Sequence, residues 1–199
     1  MVSTAPAPKS IFLNVPFDPP YQPLFATLVG TLICLGQTPR SVLEIPETGQ
    51  GRLARIYQLL RACDVSLHDL SRQGRPPRLN MPFELGLACS LRLSGTPHEI
   101  VVLDSVRHRL LQTLSDYRGP DPSIHQNRCV DLISCLLDVF QVDDEPSPSD
   151  MRAEGRYFRK LARVIARTYR RPTIFHRAAF LVFIAAATQR AQDQGFIRP

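Results

Sequence analysis

Residues 63–90 read CDVSLHDLSRQGRPPRLNMPFELGLACS, and their pattern predicts the fold class. It opens with a short apolar run that ends at Asp69. A polar, proline-containing segment follows, and residues 82–93 are then almost wholly apolar. A buried strand, a loop and a buried helix in this order are typical of a parallel sheet covered by helices. Ligands bind such sheets at the carboxyl ends of the strands, so Asp69 and Glu84 are predicted to lie near that edge.

The same alternation extends on both sides of this stretch. Apolar runs predict four strands, within residues 11–15, 39–45, 64–70 and 99–104. Helical spacing of apolar residues predicts intervening helices at 21–36, 53–63 and 82–93, and another at 128–142. We therefore expect an α/β fold with three layers around a parallel sheet of four to five strands. The fifth strand has no clear sequence signal.

The chain is predicted to divide into four parts. Residues 1–10 form a flexible N-terminus, 11–142 the α/β domain, 143–150 an acidic linker rich in Pro and Ser, and 151–199 a helical extension broken at Pro172. The extension predicts either a homo-oligomer or helical-partner surface through residues 151–192, or a helical cap on the same domain. The sequence leaves both open.

Composition limits the class of protein. The 199 residues are 44% hydrophobic and 21% charged, an ordinary globular composition that indicates a folded chain, and the net charge of +6 suggests anionic ligands. Five cysteines without a CxxC pair indicate reduced thiols of a cytoplasmic protein. The longest apolar run, residues 178–187, is about half of what a bilayer requires, so no membrane partner is expected. The arginine-rich residues 152–171 favour a solvated face, and we expect no nucleic-acid partner.

Glu84 is the first candidate for chemistry. It follows Pro82 at the predicted helix start, where an acidic residue simply complements the helix dipole. The same position would keep a carboxylate ionised, as a nucleophile or a cation-stabilising group requires. Its apolar neighbours make a charge without a purpose unusual. Asp69, at a strand end, could contact a sugar hydroxyl or cap the next turn.

Other motifs are weaker. Residues 49–52 (GQGR) precede a helix and could bind a phosphate through N–H groups and Arg52, although a turn is favoured. The five histidines show no metal-ligand spacing and no GxSxG motif occurs, so neither metal catalysis nor serine hydrolysis is predicted.

Three motifs together resemble the nucleoside 2-deoxyribosyltransferase-like and TIR-like superfamily of flavodoxin-like domains. They are the opening strand IFLNVPF, the strand pattern DVxxxDLS and the box NxPFELGxA, and the resemblance extends to about residue 125. The box looks like that of deoxyribosyltransferases, whose glutamate attacks the anomeric carbon, which implies this role for Glu84 and ribose binding for Asp69. Met81-Pro82-Phe83 replaces the usual Gly-Thr. A recurring feature of bacterial TIR-like proteins is also matched, by Asp116, Gly119, Asp121 and His125.

The resemblance implies an N-glycosidase-type hydrolase that cleaves NAD or a related nucleotide, in bacterial anti-phage defence. NAD would then be the substrate, and no cofactor is expected. The substrate-binding residues predicted with it are Asn14, Phe17, Arg52, Arg55, Asn80 and Phe83. Two alternatives are a nucleoside 2-deoxyribosyltransferase and a non-catalytic nucleotide sensor or scaffold.

Overall fold

The strands were located in a computed structural model that describes residues 8–46, 49, 51–72, 78–117, 119–142 and 146–198. Five parallel strands form one sheet: β1 (Ser10–Asn14), β2 (Thr38–Arg40), β3 (Val65–Asp69), β4 (Glu99–Asp104) and β5 (Ser123–Ile124). Their order is β2-β1-β3-β4-β5, the doubly wound order of flavodoxin-like folds. The predicted α/β fold is confirmed.

Helices cover both faces of the sheet. In chain order they are α1 (Gln22–Cys34), α2 (Arg52–Arg61), α3 (Asn80–Leu93), α4 (Arg109–Thr113), α5 (Cys129–Val139), α6 (Pro148–Thr168) and α7 (Arg177–Asp193). Short 3-10 turns occupy Pro19–Tyr21 and Val42–Glu44. Within the part of the chain that the structure describes, we find no helix with the length and apolar character needed to cross a bilayer.

The two faces of the sheet have separate cores. Side chains alternate along a strand, so Val65 and Leu67 of β3 pack with α1, α5, α6 and α7. Phe12 of β1 packs instead with α2 and α3. The same alternation places Asp69 on the α1 face, and Asn14 on the α3 face. The last residues of β1 and β3 therefore point to opposite faces of the sheet.

The C-terminal helices belong to the first of these cores. Phe158 of α6 and Phe180 and Phe183 of α7 are fully buried in one cluster with residues of α1, β1 and β3. α6 lies so close to α1 that a Cβ on Gly30 would be 2.1 Å from the Phe158 ring. This packing is that of a helical cap on the α/β sheet, the second of the two roles that the sequence left open.

Two predicted boundaries are wrong. The second strand ends at Arg40 rather than continuing to residue 45, because the Ser41 hydroxyl accepts a hydrogen bond from the Leu43 N–H and turns the chain. α6 begins at Pro148, inside the predicted linker, because Ser147 caps the helix by accepting from the Asp150 N–H at 3.1 Å. Residues 143–145 of that linker, and residues 1–7 of the predicted flexible N-terminus, lie outside the described residues.

Candidate functional site

A cleft of about 170 Å³ opens at the carboxyl end of β1. This is where the strand order reverses, since the chain passes from β1 outward to β2 and returns to β3 on the other side. Ligands of doubly wound folds bind at such a switch point. The cleft is lined by Leu13, Asn14, Val15, Pro16, Phe17, Val42, Arg52, Arg78, Asn80, Met81 and Glu84. Five of the residues predicted from sequence thus share one cavity: Asn14, Phe17, Arg52, Asn80 and Glu84.

Glu84 is the titratable group at the inner wall of the cleft. It lies on the inward stripe of α3 with Met81, Leu85 and Ala88, so the helical period turns it towards the sheet. Its residue surface is 9% exposed, and no hydrogen bond or ion pair joins it to another residue in the described ranges. Burial raises the pKa of the Glu84 carboxyl to about 7, against the opposing effect of Arg52. The carboxyl can therefore bind or release a proton at neutral pH.

The expectation that a helix N-terminus keeps Glu84 ionised is wrong. α3 begins at Asn80, two residues before the predicted start, and its first turn contains no acidic residue. Glu84 lies one turn further along, where the backbone N–H groups are already bonded within the helix. The helix dipole acts weakly beyond the first turn, so burial is the larger effect on the pKa of Glu84.

Asn14 is held in one orientation next to this carboxyl. Its Nδ2 lies 2.9 Å from the carbonyl oxygen of Met81 and 2.7 Å from Nδ1 of His68. A carbonyl oxygen only accepts, so the atom facing it must be the amide nitrogen, and His68 Nδ1 must be an acceptor as well. Both N–H groups of Asn14 are thereby used. Its Oδ1 is the acceptor that remains for a ligand, since Asn14 lines the cleft.

His68 is a residue that sequence reasoning missed as part of the site. It lies beside Asn14 in the register of β1 and β3 and is fully buried. Burial, with His98 nearby, lowers the pKa of His68 to about 3, so the ring stays neutral with its proton on Nε2. Among described residues, Nε2 has no hydrogen-bond partner. A signal was present, because Asn14 and His68 occupy the same face at the ends of neighbouring strands.

Two guanidinium groups give the cleft its positive side. Arg52 is the first residue of α2 and is exposed, with Gly51 as the preceding cap. Arg78 precedes α3, and its Nη1 lies 3.3 Å from Oδ2 of Asp18. The sequence reasoning did not identify Arg78. The predicted phosphate loop around Gly49 and Gly51 lies partly outside the described residues.

Asp69 is not brought into the cleft. It points to the α1 face, where it accepts hydrogen bonds from the Tyr21 hydroxyl and, at 2.8 Å, from the Ser71 N–H. His125 Nε2 lies 3.2 Å from its Oδ2. Burial alone would raise the pKa of the Asp69 carboxyl, but these donors lower it below its ordinary value. Asp69 is an ionised acceptor that ties β3 to the 3-10 turn before α1 and to the segment after β5.

The other predicted residues also lie apart from the cleft. Arg55 donates from Nη1 to the carbonyl oxygen of Pro46 at 3.1 Å, and Phe83 is 55% exposed on the outer side of α3. Asp116 and Asp121 are on the surface, whereas His125 is buried with Asp69. Neither Arg55 nor Phe83 is among the residues that line the cleft.

The described residues contain no group of three or more His, Cys, Asp or Glu side chains that could hold a metal ion. From its described lining residues, the cleft offers one carboxyl, one oriented amide and two guanidinium groups. Comparisons of the chain with models of known protein families, with curated proteins and with solved structures found no match.

Proposed function

We propose that the protein hydrolyses the N-glycosidic bond of NAD or of a related nucleotide, with Glu84 acting on the ribose. The observation that supports this proposal is a carboxyl buried at a cleft wall with no partner among described residues and a pKa of about 7. A side chain that costs stability in this way and fills no structural role is typical of a functional site. The resemblance of NMPFELGLA to a box with a reactive glutamate agrees with this role.

One carboxylate is sufficient for this reaction. The bond between the ribose anomeric carbon and the pyridinium nitrogen breaks, and its electron pair goes to nitrogen, which leaves as neutral nicotinamide. No general acid is needed for a leaving group that is already cationic. The Glu84 carboxylate would stabilise the oxocarbenium-like centre until water adds to it and releases a proton. About half of the Glu84 side chains are ionised at neutral pH when the pKa is about 7.

The charge of the cleft favours a nucleotide over a nucleoside. Arg52 and Arg78 both line it, and guanidinium groups bind phosphate oxygens through paired hydrogen bonds. A nucleoside 2-deoxyribosyltransferase has no phosphate for these groups to bind. The volume of about 170 Å³ is below the roughly 300 Å³ of sites that enclose a drug-sized ligand, so the cleft fits one ring-sized part of a dinucleotide.

Asn14 would take the ribose-binding role that the sequence suggested for Asp69. Both of its N–H groups are used by Met81 and His68, so its Oδ1 is a fixed acceptor. A fixed acceptor next to Glu84 fits a ligand that donates a hydroxyl group, as ribose does.

A nucleotide sensor without turnover is the second candidate. The observation that favours it is the position of Asp69, which leaves Glu84 as the sole carboxyl among the described residues that line the cleft. A binding site needs no more than the two arginines and Asn14.

The test is incubation of the purified protein with NAD, and separately with a deoxynucleoside and a free base, followed by chromatography of the products. Wild type is compared with Glu84→Gln and with Asp138→Asn, which removes a carboxylate from the exposed surface of α5. NAD loss in wild type and Asp138→Asn, with no loss in Glu84→Gln, supports the hydrolase.

Base exchange without NAD loss would instead identify a deoxyribosyltransferase. If no substrate is consumed, but NAD raises the melting temperature of both wild type and Glu84→Gln, the sensor is correct. NAD loss that persists undiminished in Glu84→Gln would refute the assigned role of this carboxyl.

A further inference from the structure

The positive charge of the chain is concentrated in one segment. Residues 148–171 contain eight of the 24 Lys and Arg residues and two of the 18 Asp and Glu residues. The remainder of the chain therefore has sixteen residues of each sign, and the whole net charge of +6 belongs to this segment. Residues 156–171 alone carry seven cationic side chains and no acidic one.

These side chains form one surface on α6. The basic face consists of exposed residues spaced by three or four positions, continued just past the helix end: Arg152, Arg156, Lys160, Arg163, Arg167, Arg170 and Arg171. None of them forms an ion pair with another residue in the described ranges. Like charges at such spacing oppose helix formation. The helix forms despite the repulsion between these side chains.

The acidic residues described on α6 and on neighbouring α5 form no ion pair with the basic face. On α6 itself, Glu154 is buried and pairs with Arg190 through both carboxylate oxygens, at 2.7 and 2.9 Å. Asp150 is at the far N-terminal end, next to its cap. On neighbouring α5, Asp131 lies 3.2 Å from Arg128, and Asp138 is exposed. The C-terminal half of the face thus has no acidic neighbour on its own helix.

The geometry of α6 indicates which anion would bind. Its apolar side is buried against α1, as Phe158 and Ala162 show, so it cannot enter a bilayer as an interfacial helix does. The centres of protein interfaces are depleted of lysine, whereas Lys160 is at the middle of this face. A rigid row of cations roughly 5 to 6 Å apart, at 1.5 Å per residue, fits the repeating phosphates of a nucleic acid.

We infer that the basic face of α6 binds nucleic acid through its phosphodiester backbone, without reading base sequence. The sequence alone favoured a solvated surface. Three observations change that interpretation: the whole row is exposed, the entire net charge lies in this segment, and the apolar side of the helix is buried. This inference does not depend on the reaction proposed for the cleft, which is formed by other elements.

The experiment measures the binding of labelled duplex DNA, single-stranded DNA and duplex RNA to the full chain between about 50 and 200 mM salt. Oligonucleotides of about 20 nucleotides exceed the roughly 22 Å from Arg152 to Arg167. The test variant replaces Arg156, Arg163 and Arg167 by Gln. The measured quantity is the ratio of the affinity at about 50 mM salt to the affinity at about 200 mM salt. Each lost phosphate contact lowers this ratio about 3.5-fold, so the loss of three contacts should lower it about fortyfold.

Two further variants make the result specific. Replacing the exposed Arg61, Arg92 and Arg107 by Gln lowers the net charge equally while leaving α6 intact, and should keep the wild-type salt dependence. Replacing the three α6 residues by Lys should restore most of it. Circular dichroism confirms that each variant is folded. Which nucleic acid binds most tightly identifies the source of the phosphates.

The inference is overturned if wild type binds none of the three nucleic acids at the lower salt concentration. It is also overturned if the two Gln variants lose affinity equally, because net charge alone would then explain binding. Tighter binding to vesicles of anionic lipid than to any of the nucleic acids would assign the face to a membrane surface instead.

Discussion

Replacing Glu84 by Gln is predicted to make the protein more stable at alkaline pH. Burial raises the pKa of this carboxyl from its ordinary value of 4.5 to about 7, so the folded state binds the proton more tightly than the unfolded state. Stability therefore falls as pH rises from about 4.5 through 7, and no further change from this group follows above that range. Gln keeps the shape of the protonated side chain and cannot ionise.

The size of the effect follows from the two pKa values. Each unit of pKa corresponds to about 1.4 kcal/mol, so a change from 4.5 to about 7 gives on the order of 3 kcal/mol. The free energy of unfolding of Glu84→Gln should therefore be about 3 kcal/mol higher than that of wild type at pH 8.5. At pH 4.5 the two proteins should be nearly equal, because Glu84 is then mostly protonated in the folded state.

Urea denaturation at several pH values between 4.5 and 8.5 measures this difference. Asp138→Asn is the control, since that side chain is exposed on α5, and its difference from wild type should stay near zero throughout. A Glu84→Gln variant that is less stable than wild type at every pH would show that the carboxylate is structural. A difference independent of pH would show that the carboxyl is not held protonated by burial.

Three further perturbations test other parts of the structure. Arg52→Gln removes the cation that lowers the pKa of the Glu84 carboxyl. In the same urea series, the stability of this variant should therefore fall at a higher pH than the stability of wild type. An unchanged or lower pH would contradict the effect of Arg52 on this pKa. Gly30→Ala should destabilise the protein by about 2 kcal/mol, because its Cβ would lie 2.1 Å from the buried Phe158 ring. Gly86→Ala is the matched control: it has open space around it and should be neutral or stabilising by up to about 1 kcal/mol. Equal melting temperatures for these two variants would refute the close packing of α6 on α1. Asn14→Asp replaces two donated hydrogen bonds by a carboxylate facing a carbonyl oxygen, and thermal unfolding at pH 8 should show a loss of about 1 to 3 kcal/mol; a variant as stable as wild type would contradict the deduced amide orientation.

The sheet was largely predictable because apolar runs mark β1 at residues 11–13 and β4 at residues 100–103. The predicted second strand, residues 39–45, shares only Pro39 and Arg40 with β2, because Thr38–Arg40 is not an apolar run. β5 was not predictable, because Ser123–Ile124 is only two residues long and contains no periodicity to detect. The start of α3 was misplaced for a related reason. Its cap, Leu79, makes no side-chain hydrogen bond, so the first signal in the sequence is Pro82.

The candidate site was predictable in its types of residue but not in its geometry. Asp69 and Glu84 were expected together at one strand end. Period-two alternation in β3 turns Asp69 to the face opposite α3, and the sequence does not state which face a helix covers. Arg78 carries no local motif and is identified only by the cleft wall. The signal for His68 was its position beside Asn14 on neighbouring strands, which their hydrogen bond confirms.

Glu84 is proposed to act chemically on a nucleotide bound in the cleft. The most direct measurement is nicotinamide release from saturating NAD at pH 8 by wild type and Glu84→Gln, with NAD affinity determined on the same samples. The two proteins should bind NAD with similar affinity, and release should be at least about a hundredfold slower in the variant, since the lost carboxylate stabilises charge in the transition state. Equal rates of release, or no binding of NAD to either protein, would contradict this proposal.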